Sequence, residues 1–163
     1  MQADVEALSR KHDRSVFDCG NHDLNAFLRQ FAGQNEDRGL SRTFVMTEAG
    51  QNQVIAYHCI SSGAVSFEEM PERRLPRYPI PVVHLGRLAV DLRSQGQKLG
   101  EFLLLDALRR ARLVSEQVGV YAVEVRAIDD SARRFYLKYG FTELKDDKHH
   151  LYLPISVIKK LGL

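Results

Sequence analysis

At 163 residues the chain is long enough to bury a core without disulfide or metal staples, and it predicts a single domain over 1–163. A content of 44% hydrophobic and 27% charged residues excludes disordered and fibrous classes. The net charge of +2 is too small to hold nucleic acid by bulk charge, so such a partner has to be met by a local basic face.

The N-terminal residues are polar, with no apolar stretch of signal-peptide length, and no window approaches a membrane span. The reading is a cytoplasmic protein with no membrane partner. Cys19 and Cys59 form neither a disulfide framework nor a Cys-rich metal site and read as reduced thiols. Phe17–Asn21 is a turn with Asn21 as a helix cap, and Leu24, Phe27, Leu28 and Phe31 mark one face of the helix that follows. Strands are predicted over 42–47 and 53–61, joined as a hairpin. Residues 66–81 hold Pro71, Pro76, Pro79 and Pro81 among Arg73, Arg74 and Arg77, which makes an extended exposed loop with room for one helical turn.

A strand over 82–90 then runs into a glycine-bearing loop and a long helix over 99–118. A buried strand over 120–127 follows. Asp129 caps a short helix that reaches Tyr139 and is stopped by Gly140. Strand-like runs at 141–144 and 149–153 close the chain. The β-loop-α-β unit implies parallel strands with a right-handed crossover, while the flanking hairpins add antiparallel pairs. The sheet is mixed and the class is α/β or α+β.

The loop between Val90 and Leu99 is the most informative segment. Its backbone N–H groups and the positive end of the following helix converge on one point, which suits a phosphate. A mononucleotide loop fails because no Gly-Lys-Ser/Thr exists, and Gly96-x-x-x-Gly100 does not meet the dinucleotide fingerprint. Gln95-Gly96-Gln97-Lys98-Leu99-Gly100 resembles the Gln/Arg-x-x-Gly-x-Gly/Ala loop of GNAT acetyltransferases. Four further segments follow in register with it: Phe17–Gly20 with Leu24, Phe27 and Leu28; Arg42–Val45; Ile80–Asp91; and Phe135–Phe141. Together with the helix Gly100–Leu108 they resemble the GNAT toxins of bacterial type II toxin–antitoxin pairs.

That resemblance implies the GNAT fold, a mixed, mostly antiparallel sheet with splayed central parallel strands between helices. It implies acetyl-CoA as cosubstrate, held by Gln95, Gly96, Gln97, Lys98, Leu99, Gly100 and Glu101, with Leu88, Ala89 and Val90 offering backbone to the pantetheine arm. It further implies aminoacyl-tRNA as the acceptor and hence arrest of translation, a ribbon-helix-helix antitoxin as partner, and a homodimer. Lys98 stands where the family has glycine. A positive φ there costs a lysine roughly 1–2 kcal/mol, and because the rest of the loop is intact we expect a negative φ.

Acetyl transfer needs a neutral amine, a polarised carbonyl and a proton for the leaving thiolate. An α-amine, with a pKa near 7.7–8.0, is partly neutral already and needs no strong base. The family's acid falls on Tyr136, with Tyr139 one turn later as the fallback. Arg73, Arg74, Arg77 and Arg87 are the candidates for tRNA contact, although Glu68 and Glu69 dilute the loop's charge. Arg109, Arg110, Arg112, Arg133 and Arg134 read as solvated faces. His22, His58, His84, His149 and His150 lack metal-ligand spacing and read as scattered core or surface residues, with no metal expected. The rival readings are a GNAT enzyme acting on a small amine or a protein N-terminus, and an inactive CoA- or RNA-binding module.

Overall fold

The computed structural model describes residues 3–163. Seven strands form one sheet in the order β1-β2-β3-β4-β5-β7-β6. They are β1 Ala3–Ala7, β2 Arg42–Glu48, β3 Val54–Val65, β4 Ile80–Val90, β5 Ala122–Arg126, β6 Thr142–Glu143 and β7 His150–Pro154. The helices are α1 His22–Ala26, α2 Ala32–Asp37, α3 Leu99–Ser115, α4 Asp130–Lys138 and α5 Ile155–Lys159. The β4–β5 pair is parallel, and β1–β2, β2–β3, β5–β7 and β6–β7 are antiparallel. This is the expected mixed sheet. The chain resolves into two compact units, and β3, β4 and α3 each contribute to both.

The first unit comprises the chain up to Ser61 together with Gly86–Ala107. Sequence reading takes its opening residues as merely polar, yet Ala3–Ala7 is a strand in register with Phe44–Glu48. Val5 is its one strong apolar signal, and it packs on the cluster of Met46, Ile55, Ala56, Leu99 and Leu103. Asn21 caps α1 as expected, its side chain accepting from the Leu24 N–H. Between α1 and α2 the helix widens into one π turn, Phe27–Phe31, closed by the Ala32 N–H on the Phe27 carbonyl. A π turn frees carbonyls from the ordinary ladder, and Arg14 donates to one of them, Leu28 O, at 3.0 Å. Phe17, Phe27 and Tyr57 pack beneath it, and the buried Tyr57 hydroxyl donates to Leu24 O at 2.7 Å.

The second unit comprises Ser62–Leu85 and Leu108–Leu163. Val65, Met70, Ile80, Val82, Ala122, Leu144 and Tyr152 make its core cluster. The expected helical turn in the proline-rich loop is a single 3-10 turn at Phe67–Glu69. Asp129 caps α4, Oδ1 accepting from the Ala132 N–H at 2.8 Å, and Gly140 ends it at φ +94°, a conformation glycine takes without strain. Helix α5 carries too few residues to show a periodicity, and sequence reading misses it. Parallel pairing joins Val82–Leu85 to Ala122–Val125, whereas β4 runs on to Val90.

Candidate active site

In the first unit, the end of β4 and the start of α3 are fixed from both sides. The Asp91 N–H donates to Ile55 O at 2.8 Å, and the Leu92 N–H to Asp18 O at 2.8 Å. The Asp91 carboxylate is buried and accepts from Arg93 Nε at 2.9 Å, from the second Arg93 guanidinium nitrogen at 2.8 Å, and from the N–H groups of Arg93 and Asp18. Those bonds, led by the Arg93 side chain, hold its carboxyl down at about 2. Gln95 does not face outward alone: its amide donates to Val90 O at 3.0 Å, closing the loop on itself.

The next residues are exposed and turn sharply, with Gly96 at φ +85° and Lys98 at φ +62°. The negative φ expected at Lys98 is therefore corrected. The chain must reverse within one residue before the buried Leu99 starts α3, and the left-handed conformation does this whatever the side chain. A lysine there carries roughly 1–2 kcal/mol of strain, which the burial of Leu99 and Leu103 beside Leu88 and Val90 offsets. The backbone at this position is thus one that a glycine would adopt without strain. Left-handed residues at alternate positions, ahead of a 17-residue helix, turn successive amides toward an anion.

Arg87 lies in the same unit, its guanidinium carbon 3.6 Å from the centroid of the Phe27 ring. It lines a cleft of about 390 Å³ with Asp23, Ala26, Phe27, Phe31 and Asn35. Nothing in the spacing of the sequence pairs position 87 with the π turn; the contact needs the fold.

In the second unit, Tyr136 is buried at 8% exposure on α4, edge-on to Phe135 and tilted against Phe141, each at 5.3 Å. The Gly140 turn brings Phe141 back, its N–H bonded to Tyr136 O. Burial pushes the Tyr136 phenol well above its ordinary range, so it keeps its proton at cellular pH. Tyr139 packs on Phe135 at 5.0 Å and is less buried. Arg73 and Arg77 converge on the Phe67 ring at 4.3 and 5.9 Å, while Arg74 is tied to Glu72. Two arginines read as solvated have internal partners instead: Arg112 pairs with Glu116, and Arg133 with Glu143 and Lys148 O.

The histidines are also less scattered than their spacing suggests. His58 is fully buried against Asp106 at 2.8 Å. On the second unit's sheet, His84, Glu124, His150 and Asp146 form one hydrogen-bonded row. No cluster of His, Cys, Asp and Glu with metal-binding geometry occurs among the described residues.

Comparison with known proteins matches residues 22–154 to the model of the acetyltransferase (GNAT) domain. The chain belongs to the GNAT acetyltransferase family. This GNAT enzyme is 36% identical over 157 residues to a tRNA-acetylating toxin of Mycobacterium tuberculosis, covering 94% of this chain and 93% of that one. It is 30% identical over 162 residues to a probable toxin TacT of Sinorhizobium fredii, covering 93% and 90%. Among solved structures, a tyrosine-to-phenylalanine mutant of KacT superposes with a TM-score of 0.93 at 28% identity, covering 99% of each chain. AtaT complexed with acetyl-methionyl-tRNAfMet gives 0.92 at 27% identity, covering 99% and 100%.

Proposed function

We propose that this enzyme is a toxin that transfers the acetyl group of acetyl-CoA to the α-amino group of aminoacyl-tRNA and so blocks translation. The observation that carries the reading is similarity along nearly the whole chain to a tRNA-acetylating toxin, not to the family's shared loop alone. AtaT in complex with an acetylated aminoacyl-tRNA, and AtaTR with acetyl-CoA, support the same acceptor and donor.

The geometry is compatible with the roles that the family resemblance implies for individual residues. The amides of Gln95–Leu99 and the first turn of α3, through Gly100 and Glu101, hold the diphosphate, with the Lys98 ammonium beside it. Leu88, Ala89 and Val90 lie beyond the end of the β4–β5 pairing, so their backbone is placed to take the pantetheine arm and an N–H to polarise the thioester carbonyl. Tyr136 donates a hydrogen bond to the departing sulfur. Its raised phenol is a weaker acid than a thiol, so the proton moves to sulfur only as the amine releases its own. Arg73, Arg77 and Arg87, steadied on aromatic rings, and Arg74 contact tRNA phosphates.

The chain works as one GNAT domain over 1–163, as a homodimer in the cytoplasm, and is neutralised by a ribbon-helix-helix antitoxin. Structures of AtaT with the C-terminus of AtaR and of KacTA with DNA support an antitoxin partner. The test is to induce the chain in a bacterial host and mass-analyse its aminoacyl-tRNA. Growth arrest with N-acetylated aminoacyl ends is the expected result. Acetylated protein N-termini or small amines with an unchanged tRNA pool would establish the ordinary-enzyme reading instead.

A further inference from the structure

The wall formed by α1, the π turn and α2 borders a cleft of which the roles above use only Arg87. The spacing of Leu24, Phe27, Leu28 and Phe31 predicts that all four turn inward. The first three pack in the core, but Phe31 is 48% exposed and Ala32 beside it is fully buried. Residues four apart drift around an α-helix by about 40° a step, which is about 120° over three steps. The extra residue of the π turn takes up about 100° of that drift. Asp23, Phe27, Phe31 and Asn35 therefore stay on one wall of the cleft, and Ala32 takes the inward place that Phe31 would have had.

Every residue of this cleft belongs to the first unit, as does the strand end proposed to hold the thioester. Leu88 and Val90 turn toward Leu99 and Leu103 of α3. Arg87 and Ala89 turn to the other face of β4, where Arg87 lies over the Phe27 ring and Ala89 packs in the cluster that holds Phe27. Arg87 is thus two residues, about 7 Å of strand, from Ala89. The buried Asn25 of α1 ties the wall to the loop. Its Oδ1 accepts from the Cys19 N–H at 2.8 Å, its amide donates to Asp18 Oδ1 at 2.9 Å, and the Asp18 N–H donates to Asp91 at 3.1 Å. The lining is chemically mixed: an exposed phenyl ring, a guanidinium resting on a second ring, an amide and a carboxylate. An aliphatic amino-acid side chain would leave the last three unmatched. A purine nucleotide matches all four, with a ring face for Phe31, a donor–acceptor edge for Asn35, a ribose hydroxyl for Asp23 and a phosphate for Arg87. A volume of about 390 Å³ suits a ligand of that size.

We propose that this cleft seats the 3′-terminal adenosine of the acceptor tRNA, its base stacked on Phe31 and its edge read by the Asn35 amide. Asp23 accepts from the ribose hydroxyl that the aminoacyl ester leaves free, and Arg87 takes the adjoining phosphate. The inference rests on the acceptor proposed above and adds the subsite that holds it. The adenosine is common to all charged tRNAs, so the seat fixes the ester, and with it the α-amine, whatever the amino acid. The π turn is what supplies the stacking surface, because a regular helix would have buried Phe31.

The test measures binding of the full chain to uncharged tRNA with an intact CCA end and to the same tRNA lacking the terminal adenosine, at one fixed salt concentration. The wild type should bind the intact tRNA about tenfold or more tightly, the worth of one stacked base. In Phe31→Ala that preference should shrink to within about twofold, and in Asn35→Ala it should fall about threefold. A wild type that binds both tRNAs within about twofold overturns the inference, and so does a Phe31→Ala variant that keeps the full preference. If Phe31→Ala fails to bind acetyl-CoA, Asn35→Ala decides alone, and an unchanged preference overturns it. On charged tRNAs carrying a small and a large amino acid, Phe31→Ala should raise the KM by the same factor. A rise confined to the larger amino acid makes the cleft a side-chain pocket and overturns the adenosine seat. Absence of transfer to charged tRNA by a wild type that still prefers the intact end refutes the acetyl transfer instead and leaves the seat standing.

Discussion

The loop from Asp91 to Lys98 and the row from His84 to Asp146 both hold polar groups in fixed directions, and they do it by opposite means. The loop works with main chain. Its side chains (Asp91, Arg93 and Gln95) spend their hydrogen bonds on the loop's own backbone, on each other and on the main chain of Val16 and Asp18, and the outward surface is amides aimed by left-handed residues. The row works with side chains: His84, Glu124 and His150 stand on three strands, Asp146 follows from the segment before β7, and of the four only Glu124 and His150 are buried. A backbone site can be read from a short motif because a few residues set its shape. A side-chain row drawn from 84, 124, 146 and 150 has no local signature.

Removing the proposed acid should have the largest effect on turnover. Tyr136→Phe keeps the ring on Phe135 and Phe141, so the fold and acetyl-CoA binding should persist while kcat falls about 10²–10⁴-fold, read by steady-state acetylation of charged tRNA. Next comes the loop's internal tie. The Asp91 carboxyl is lowered from 3.8 to about 2, so its contribution is fully present above pH 4 and is lost as the pH falls through about 2. Asp91→Asn should therefore destabilise the protein by about 2 kcal/mol at neutral pH and flatten the stability curve between pH 4 and 2, measured by denaturant titration.

Lys98 separates strain from charge. Lys98→Ala keeps the strained φ and loses the ammonium, and should weaken acetyl-CoA binding by roughly threefold to tenfold, more so at low salt, by calorimetry. Lys98→Gly relieves the strain but frees the unfolded chain, so its stability should change by less than about 1 kcal/mol. The smallest effect belongs to Arg74. Its side chain is 92% exposed and paired with Glu72, so Arg74→Ala should leave stability unchanged and raise the KM for tRNA about twofold to threefold.

Much of the fold was legible where one residue dictates one conformation. Asn21 and Asp129 announce helix starts, Gly140 a helix stop, and Pro71–Pro79 a stretch outside the sheet, although Ile80 and Pro81 already belong to β4. Legibility failed where a partner distant in sequence decides. Ala3–Ala7 becomes a strand because β2 is there to pair with it, and the π turn at Phe27–Phe31 depends on Arg14 to take a freed carbonyl. The loop at Gln95–Gly100 was legible as a motif, but the φ of Lys98 was not, because lysine ordinarily avoids the left-handed region and only the chain reversal before Leu99 overrules it. Tyr136 was placed through its motif. Arg87 over Phe27 and His84 on Glu124 were visible only as isolated residues, since nothing in one strand encodes what lies across the sheet.

The most direct measurement is transfer of labelled acetyl from acetyl-CoA by the purified protein, offered charged tRNA, uncharged tRNA and free amino acid side by side. Label on the amino acid of charged tRNA alone, lost in Tyr136→Phe, is the predicted result. Equal labelling of free amino acid, or none of any acceptor, would contradict the account.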